Sequence, residues 1–261
     1  NKYGSNAGIY TYREFVDQYI KLYKNRDQRG HQKSKLENLQ YISRQVSHLN
    51  LALPESILYN EAGHAIGYVM RRFKGHPLRD YLPVGWEGHN LALIFCRLSL
   101  LLLELHTMHI IANDLSFNNI IIGDDDEVSL VDCDSFQVFD YPGGGITEMY
   151  RHPEISAEEC QKTLREPRHE YFSFAVVLFQ CLFYYEPLWQ VQDGEDERIL
   201  NWNNVRFPLD VDGRSQRRAN RDILRLWEGQ PKTVQKMFAD EFHFRRDHSV
   251  GAWIRALELL S

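Results

Sequence analysis

The chain has 261 residues, 43% apolar and 25% charged, the balance of a globular protein with room for one domain or two small lobes; intrinsic disorder, collagen-like repetition and a coiled coil as the main architecture are excluded. Lys and Arg number 30 against 36 Asp and Glu, a net charge of −6, which argues against nucleic acid as a partner because phosphate binding needs a basic surface. The longest apolar runs, 91–96 and 174–179, fall far short of the ~20 residues of a membrane span, and four cysteines without a C-x-x-C pair disfavour a zinc or redox motif and suit a reducing cytoplasm.

Residues 9–23 read as two strands. Ile9, Tyr10, Tyr12 and Phe15 form an aromatic-rich run, and Tyr19-Ile20-Lys21-Leu22-Tyr23 is β-prone around a lysine. Leu36, Leu39, Ile42 and Val46 are spaced three or four apart and predict a helix over 32–47. Segments 57–59 and 65–70 read as a strand pair turned by Glu61-Ala62-Gly63-His64. Gly75, Pro77 and Pro83 then interrupt the pattern, which sets a seam within 70–83. Beyond it, 89–106 reads as a long apolar helix. Two short strands come next at 120–122 and 128–131 around an acidic turn, then helices at 170–184, 230–240 and 250–260. Strands first and helices later predict an α+β chain in two unequal lobes.

The chemistry concentrates in 106–136. Asp114 is followed by Leu115, Asn119 lies five residues beyond Asp114, and Asp132 lies 13 residues beyond Asn119 across a strand–turn–strand. That order suits phosphoryl transfer to a hydroxyl. One carboxylate orients the acceptor and takes its proton, while a carboxamide and a second carboxylate hold Mg²⁺ against nucleotide phosphates. Spacing selects Asn119 over Asn118 and Asp132 over Asp134, whereas the lettering Ser135-Phe136 favours Asp134, so both aspartates stay candidates for the metal. Asp124, Asp125 and Asp126 lack the Asp/Asn-Gly spacing of a calcium loop and read as a solvated turn. His106 and His109 read as capping and packing residues.

This stretch resembles the catalytic loop and metal-binding aspartate of protein kinases, and other segments fit that template in order. Gly4-Ser-Asn-Ala7-Gly-Ile9-Tyr10 is similar to the end of a phosphate-covering glycine loop, with Gly4 and Ala7 at template glycine positions. Lys21 resembles the strand lysine that meets the α/β-phosphates, with Lys24 as rival, and Glu37 its helical partner. Thr147-Glu-Met-Tyr150-Arg-His-Pro153-Glu154 resembles the T-x-x-Y-x-x-P-E close of an activation segment. Asp132-Cys-Asp-Ser-Phe-Gln137 and His169-Glu-Tyr-Phe-Ser-Phe-Ala-Val-Val-Leu-Phe-Gln180 are similar to the D-x-D-S-F-Q and H-D-x-F-x-L-A-V-x-x-F-Q signatures of a bacterial kinase subfamily. Its members are often encoded beside a von Willebrand A-type protein and a protein phosphatase 2C-like partner.

The resemblance implies a two-lobed protein kinase-like fold over 1–261, with a small β-rich N-lobe about 1–70, a hinge about 70–73 and a mainly α-helical C-lobe about 74–261. ATP would lie between the lobes, its base near Ile9, Val69, Met70, Ile121 and Val131. Lys21, held by Glu37, would meet the phosphates; Asn119 and Asp132, with Asp134 beside them, would hold Mg²⁺. Asp114 would serve a Ser or Thr hydroxyl of a protein substrate, with Thr147 against it. Glu154 would pair with Arg245 or Arg246.

Three residues depart from the template. Ala112-Asn113 replaces His-Arg before Asp114, which removes the usual partner of a phosphorylated activation loop. Ser116 stands where Ser/Thr kinases keep a lysine for the γ-phosphate, so that role is lost or reassigned. Glu170 replaces the aspartate that braces the catalytic loop. None removes a metal ligand or the base, which favours a live enzyme over a pseudokinase. A small-molecule kinase of the aminoglycoside-phosphotransferase type also uses D-x-x-x-x-N, but the T-x-x-Y-x-x-P-E close argues against it.

Overall fold

The computed structural model describes residues 2–3, 7–24, 33–183, 221–242 and 246–258. Its first part is a five-stranded antiparallel sheet of order β1-β2-β3-β5-β4, built from β1 (Lys2–Tyr3), β2 (Ala7–Tyr12), β3 (Phe15–Tyr23), β4 (Pro54–Tyr59) and β5 (Ala65–Arg71). Lys21 sits opposite Ile9 on one neighbour and Tyr68 on the other. Tyr23 sits opposite Ala7, and Tyr19 opposite Met70. Since side chains alternate along a strand, Tyr19, Lys21, Tyr23, Tyr68 and Met70 share one face, and Ile20 and Val69 take the other.

Helix α1 (Lys33–Gln45) packs against β4 with Leu36, Leu39 and Ile42 buried, as their spacing predicts. The same inward face carries Lys35 towards the 133–135 turn and β10 (Gln137–Val138). Residues 50–52 join the sheet region to the C-terminal part of the chain: Ala52 N–H donates to Leu130 O, and Leu130 N–H to Asn50 O, each at 2.9 Å.

The remainder is mainly helical. Helix α2 (Leu91–Thr107) starts at Asn90, whose side chain accepts from Leu93 N–H, and packs against α6 (Val250–Leu257). Helix α3 (Pro167–Leu182) is buried along nearly its whole length and begins with proline at a helix start, where its missing N–H leaves no helical bond unmade. Helices α4 (Arg221–Glu228) and α5 (Lys232–Phe242) bring Trp227, Phe238 and Phe242 onto Phe179 and Phe183, with Trp253 of α6 completing an aromatic core. Among the shorter strands, β6 (His76–Pro77), β8 (Ile120–Ile122) and β9 (Val128–Leu130) form one small sheet, and β7 (Ile110–Ile111) pairs with β10 in another.

The described chain is thus mixed α+β, as expected, with strands concentrated before residue 72 and six α-helices among the described residues. The predicted helices begin and end within a few residues of those observed. Strands β1, β6, β7 and β10 and helix α4 had no sequence expectation; two-residue strands are too short to display a period. No helix among the described residues is long and apolar enough to cross a membrane.

Candidate functional site

Two carboxylates meet one buried ammonium where β3 faces the 132–135 turn. Lys21, from β3 and 7% exposed, donates to Asp132 Oδ1 and, at 2.5 Å, to Asp134 Oδ1. Asp132 adopts a left-handed backbone (φ 63°), a conformation that Asp tolerates better than most residues, and the tight turn Cys133–Ser135 comes directly after it. The turn is closed by Ser135 N–H and Ser135 Oγ, both donating to Asp132 O. This bend returns Asp134 to Lys21, so both aspartates face the same cation.

Their surroundings separate them. Asp134 also accepts from Tyr23 OH at 2.9 Å and Tyr68 OH at 3.0 Å. Burial opposes its charge, but Lys21 and the two hydroxyls overcome burial and hold its carboxyl below the usual range. Asp132 is pushed up by burial and by Asp134, against the pull of Lys21. Its side chain is 44% exposed, against 11% for Asp134. Burial opposes the Lys21 charge too, and Asp134 and Asp132 raise it above the ordinary lysine range. The Tyr23 and Tyr68 hydroxyls are held protonated by burial and by Asp134.

The loop after β7 supplies the second half of the site. Asn119 Nδ2 donates to Asp114 O and Asp114 Oδ2, both at 2.9 Å, and Thr147 N–H donates to Asp114 Oδ1 at 2.8 Å. Both carboxylate oxygens of Asp114 are therefore oriented. The loop is braced from beneath by Glu170 of α3, which accepts from Asn113 N–H at 3.1 Å and contacts His106 Nε2 at 2.5 Å. Asn113 Nδ2 donates to Gly144 O at 3.0 Å, and Gly144 N–H to Ser135 O at 2.7 Å. The Pro142-Gly143-Gly144-Gly145 stretch thus ties the Asp114 loop to the Asp134 turn.

These parts line one cleft of about 590 Å³, whose walls include Ala7, Lys21, Tyr23, Lys35, Asp114, Asp132, Asp134, Ser135 and Thr147. Ala7, Lys21, Asp114, Asp132 and Asp134 are thereby brought together, with Asn119 attached through Asp114. Ile9, Met70, Ile121 and Val131 are outside that lining. Gly4 lies outside the described residues.

Two expectations need correction, and a third falls partly outside the described residues. Glu37 does not reach Lys21: it turns outward on α1, with Lys33 at 3.9 Å and Tyr59 beside it. Two residues along a helix rotate a side chain by ~200°, so Lys35 rather than Glu37 faces inward. Val69 lies on the sheet face opposite Lys21, in a hollow with Phe15, Gln18, Ile20 and Ser56, because strand alternation sends neighbours of Tyr68 and Met70 the other way. Glu154 pairs with Arg168 at 2.7 Å; of the two arginines expected to pair with it, Arg246 approaches Asp240 at 3.8 Å and Arg245 lies outside the described residues.

Sequence reasoning missed Tyr23, Tyr68 and Lys35. The run Tyr-Ile-Lys-Leu-Tyr did place Tyr23 on the lysine's side, a signal present in the period of two. It also missed a second cluster, in which ligand atoms of His152, Glu154 and His169 lie within 4.8 Å of one another. Arg168 already bonds Glu154 there, and the Nδ1 atoms of His152 and His169 accept from Glu154 N–H and Glu166 N–H, so these groups tie residues 152–154 to α3.

No family model matches the chain, and no curated protein matches it.

Proposed function

We propose that the chain is a protein kinase-like phosphotransferase that moves the γ-phosphoryl group of ATP, with Mg²⁺, to a Ser or Thr hydroxyl of a protein substrate. One observation carries the reading: Lys21, Asp114, Asp132, Asp134 and Thr147 line a single cleft, with Asn119 bonded to Asp114. In this reading the five-stranded sheet with α1 is the N-lobe, the helical remainder the C-lobe, and the D-x-D-S-F-Q subfamily the family. A cytoplasmic setting and a von Willebrand A-type or phosphatase 2C-like partner belong to the same reading.

The donor set suits Mg²⁺. Asn119 turns its amide nitrogen to Asp114, which leaves its carbonyl oxygen for a hard cation, and Asp132 is the more open of the two aspartates. Bound there, the ion would neutralise charge on the phosphates. Asp134 has both oxygens engaged by Lys21, Tyr23 and Tyr68, so its role is to position Lys21. The Lys21 ammonium meets phosphate oxygens. Asp114, fixed by Thr147 and Asn119, orients the acceptor hydroxyl and takes its proton.

A second reading, a nucleotide-binding scaffold without transfer, is favoured by the engagement of Lys21 with both aspartates and by the outward Glu37. Incubation with Mg²⁺ and γ-³²P-ATP separates the two. The phosphotransferase reading expects label on protein Ser or Thr, reduced about 10²–10⁴-fold in Asp114→Ala while Mg·ATP still raises the thermal midpoint. A midpoint shift without label supports the scaffold, and label on metabolites but not protein supports a small-molecule kinase.

A further inference from the structure

Resting on the phosphotransferase reading and deepening it, we propose that Lys35 is a second phosphate-binding residue of the cleft, whose ammonium contacts the terminal phosphate of a bound nucleoside triphosphate. Lys35 stands on the inward face of α1 beside Leu36 and is 8% exposed. Its one side-chain hydrogen bond among the described residues goes to Pro142 O at 3.2 Å. An ammonium carries three donors, and burying it against a single neutral carbonyl is unfavourable unless an anion completes its shell. Burial lowers the Lys35 ammonium to about 8, and Asp134 only partly offsets this, so the position is poised to gain from an incoming negative charge.

Charge and placement point to phosphate. The charged side chains on the cleft wall are two lysines, Lys21 and Lys35, and three aspartates, Asp114, Asp132 and Asp134. Lys21 is already bonded to two of those aspartates, which leaves Lys35 as the cation of the wall with no carboxylate bonded to it among the described residues. Its tether, Pro142, belongs to the glycine-rich stretch that carries the Asn113–Gly144 bond and leads to Thr147 on Asp114. Lys35 is therefore held on the acceptor side of the cleft. Ser116, where the kinase resemblance expects a γ-phosphate lysine, is 1% exposed and is not part of the cleft wall. Lys35 supplies from the α1 side the charge that Ser116 cannot.

Calorimetric titration of wild type, Lys35→Met and Lys35→Arg with Mg·ATP and with Mg·ADP, alongside the ligand-free thermal midpoint, tests this; Lys35→Gln replaces the Met variant if that does not fold. Loss of one charge-assisted contact predicts that Lys35→Met weakens Mg·ATP by about tenfold or more and Mg·ADP by less than about threefold. Its ligand-free midpoint should be unchanged or higher, because an underpaired buried charge has gone, and Lys35→Arg should recover most of the ATP affinity. Unchanged ATP affinity in Lys35→Met overturns the inference and leaves the phosphotransferase reading standing. Equal weakening of both nucleotides with a lowered midpoint also overturns it, since that marks a purely structural tether to Pro142. A wild-type chain that binds no Mg·ATP removes this inference and the reading beneath it together.

Discussion

Asp132 and Asp134 lie two positions apart and share one ammonium, yet their neighbours give them different work. Asp134 is locked by hydroxyls from Tyr23 and Tyr68, which are 111 and 66 residues away in sequence. No local spacing could reveal that pair, which is why the sequence left the two aspartates as rivals for the metal. Asp134→Asn should destabilise the ligand-free fold by about 2–3 kcal/mol, because it removes a charged acceptor from three buried donors. Asp132→Asn should leave stability within about 1 kcal/mol, as expected for a more exposed partner, and, on the phosphotransferase reading, abolish Mg·ATP binding. Urea unfolding and nucleotide titration of both variants check this; equal stability losses would mean that the division of roles is wrong.

Among elements, α1 shows how far a pattern reads. The apolar stripe Leu36, Leu39, Ile42 named the buried face, but which flanking charge points inward depends on how the helix sits against β4 and the 133–135 turn. Lys35 won and Glu37 lost by that rotation. On the phosphotransferase reading, Glu37→Ala should therefore change the transfer rate by no more than about twofold, the scale of a surface pair; a tenfold loss would restore the expected Lys21–Glu37 pair. Val69 was misplaced for a similar reason: the segment was read as a strand, but its register to Lys21 was not fixed until β3 and β5 were paired. The 142–145 stretch is the converse case, since three consecutive glycines were visible and carried no prediction. A β-carbon at Gly143 would collide with the Asn113 side chain. Gly143→Ala should break the Asn113–Gly144 bond and, on the phosphotransferase reading, reduce transfer by about tenfold or more, the effect of misplacing the Asp114 loop; full activity would mean that the stretch does not hold that loop.

At the scale of the molecule, the α+β composition was legible because long strands and long apolar helices each show their own period over many residues. The small strands and the aromatic packing of α4 and α5 against α3 were not, because they arise only from tertiary contact. Whole-chain stability also carries a pH signature. Burial, followed by the nearby His169, lowers His152 to about 4. An unfolded chain protonates this histidine below its ordinary 6.5 while the folded chain does not, so its contribution to stability, about 3 kcal/mol in full, is lost as pH falls from about 6.5 to about 4. Asp132 and Glu241, raised by burial, work in the opposite direction, so the comparison with His152→Gln isolates the histidine: wild type should lose more stability than the variant across that window, and parallel profiles would contradict it. The proposal that the cleft of Lys21, Asp114 and Asp132, with Asn119 bonded to Asp114, is a phosphate site is tested most directly by calorimetric titration of the chain with ATP, with and without Mg²⁺. One site per chain that requires the metal and disappears in Asp132→Ala is the predicted result; absence of binding, or binding indifferent to both metal and Asp132, would contradict it.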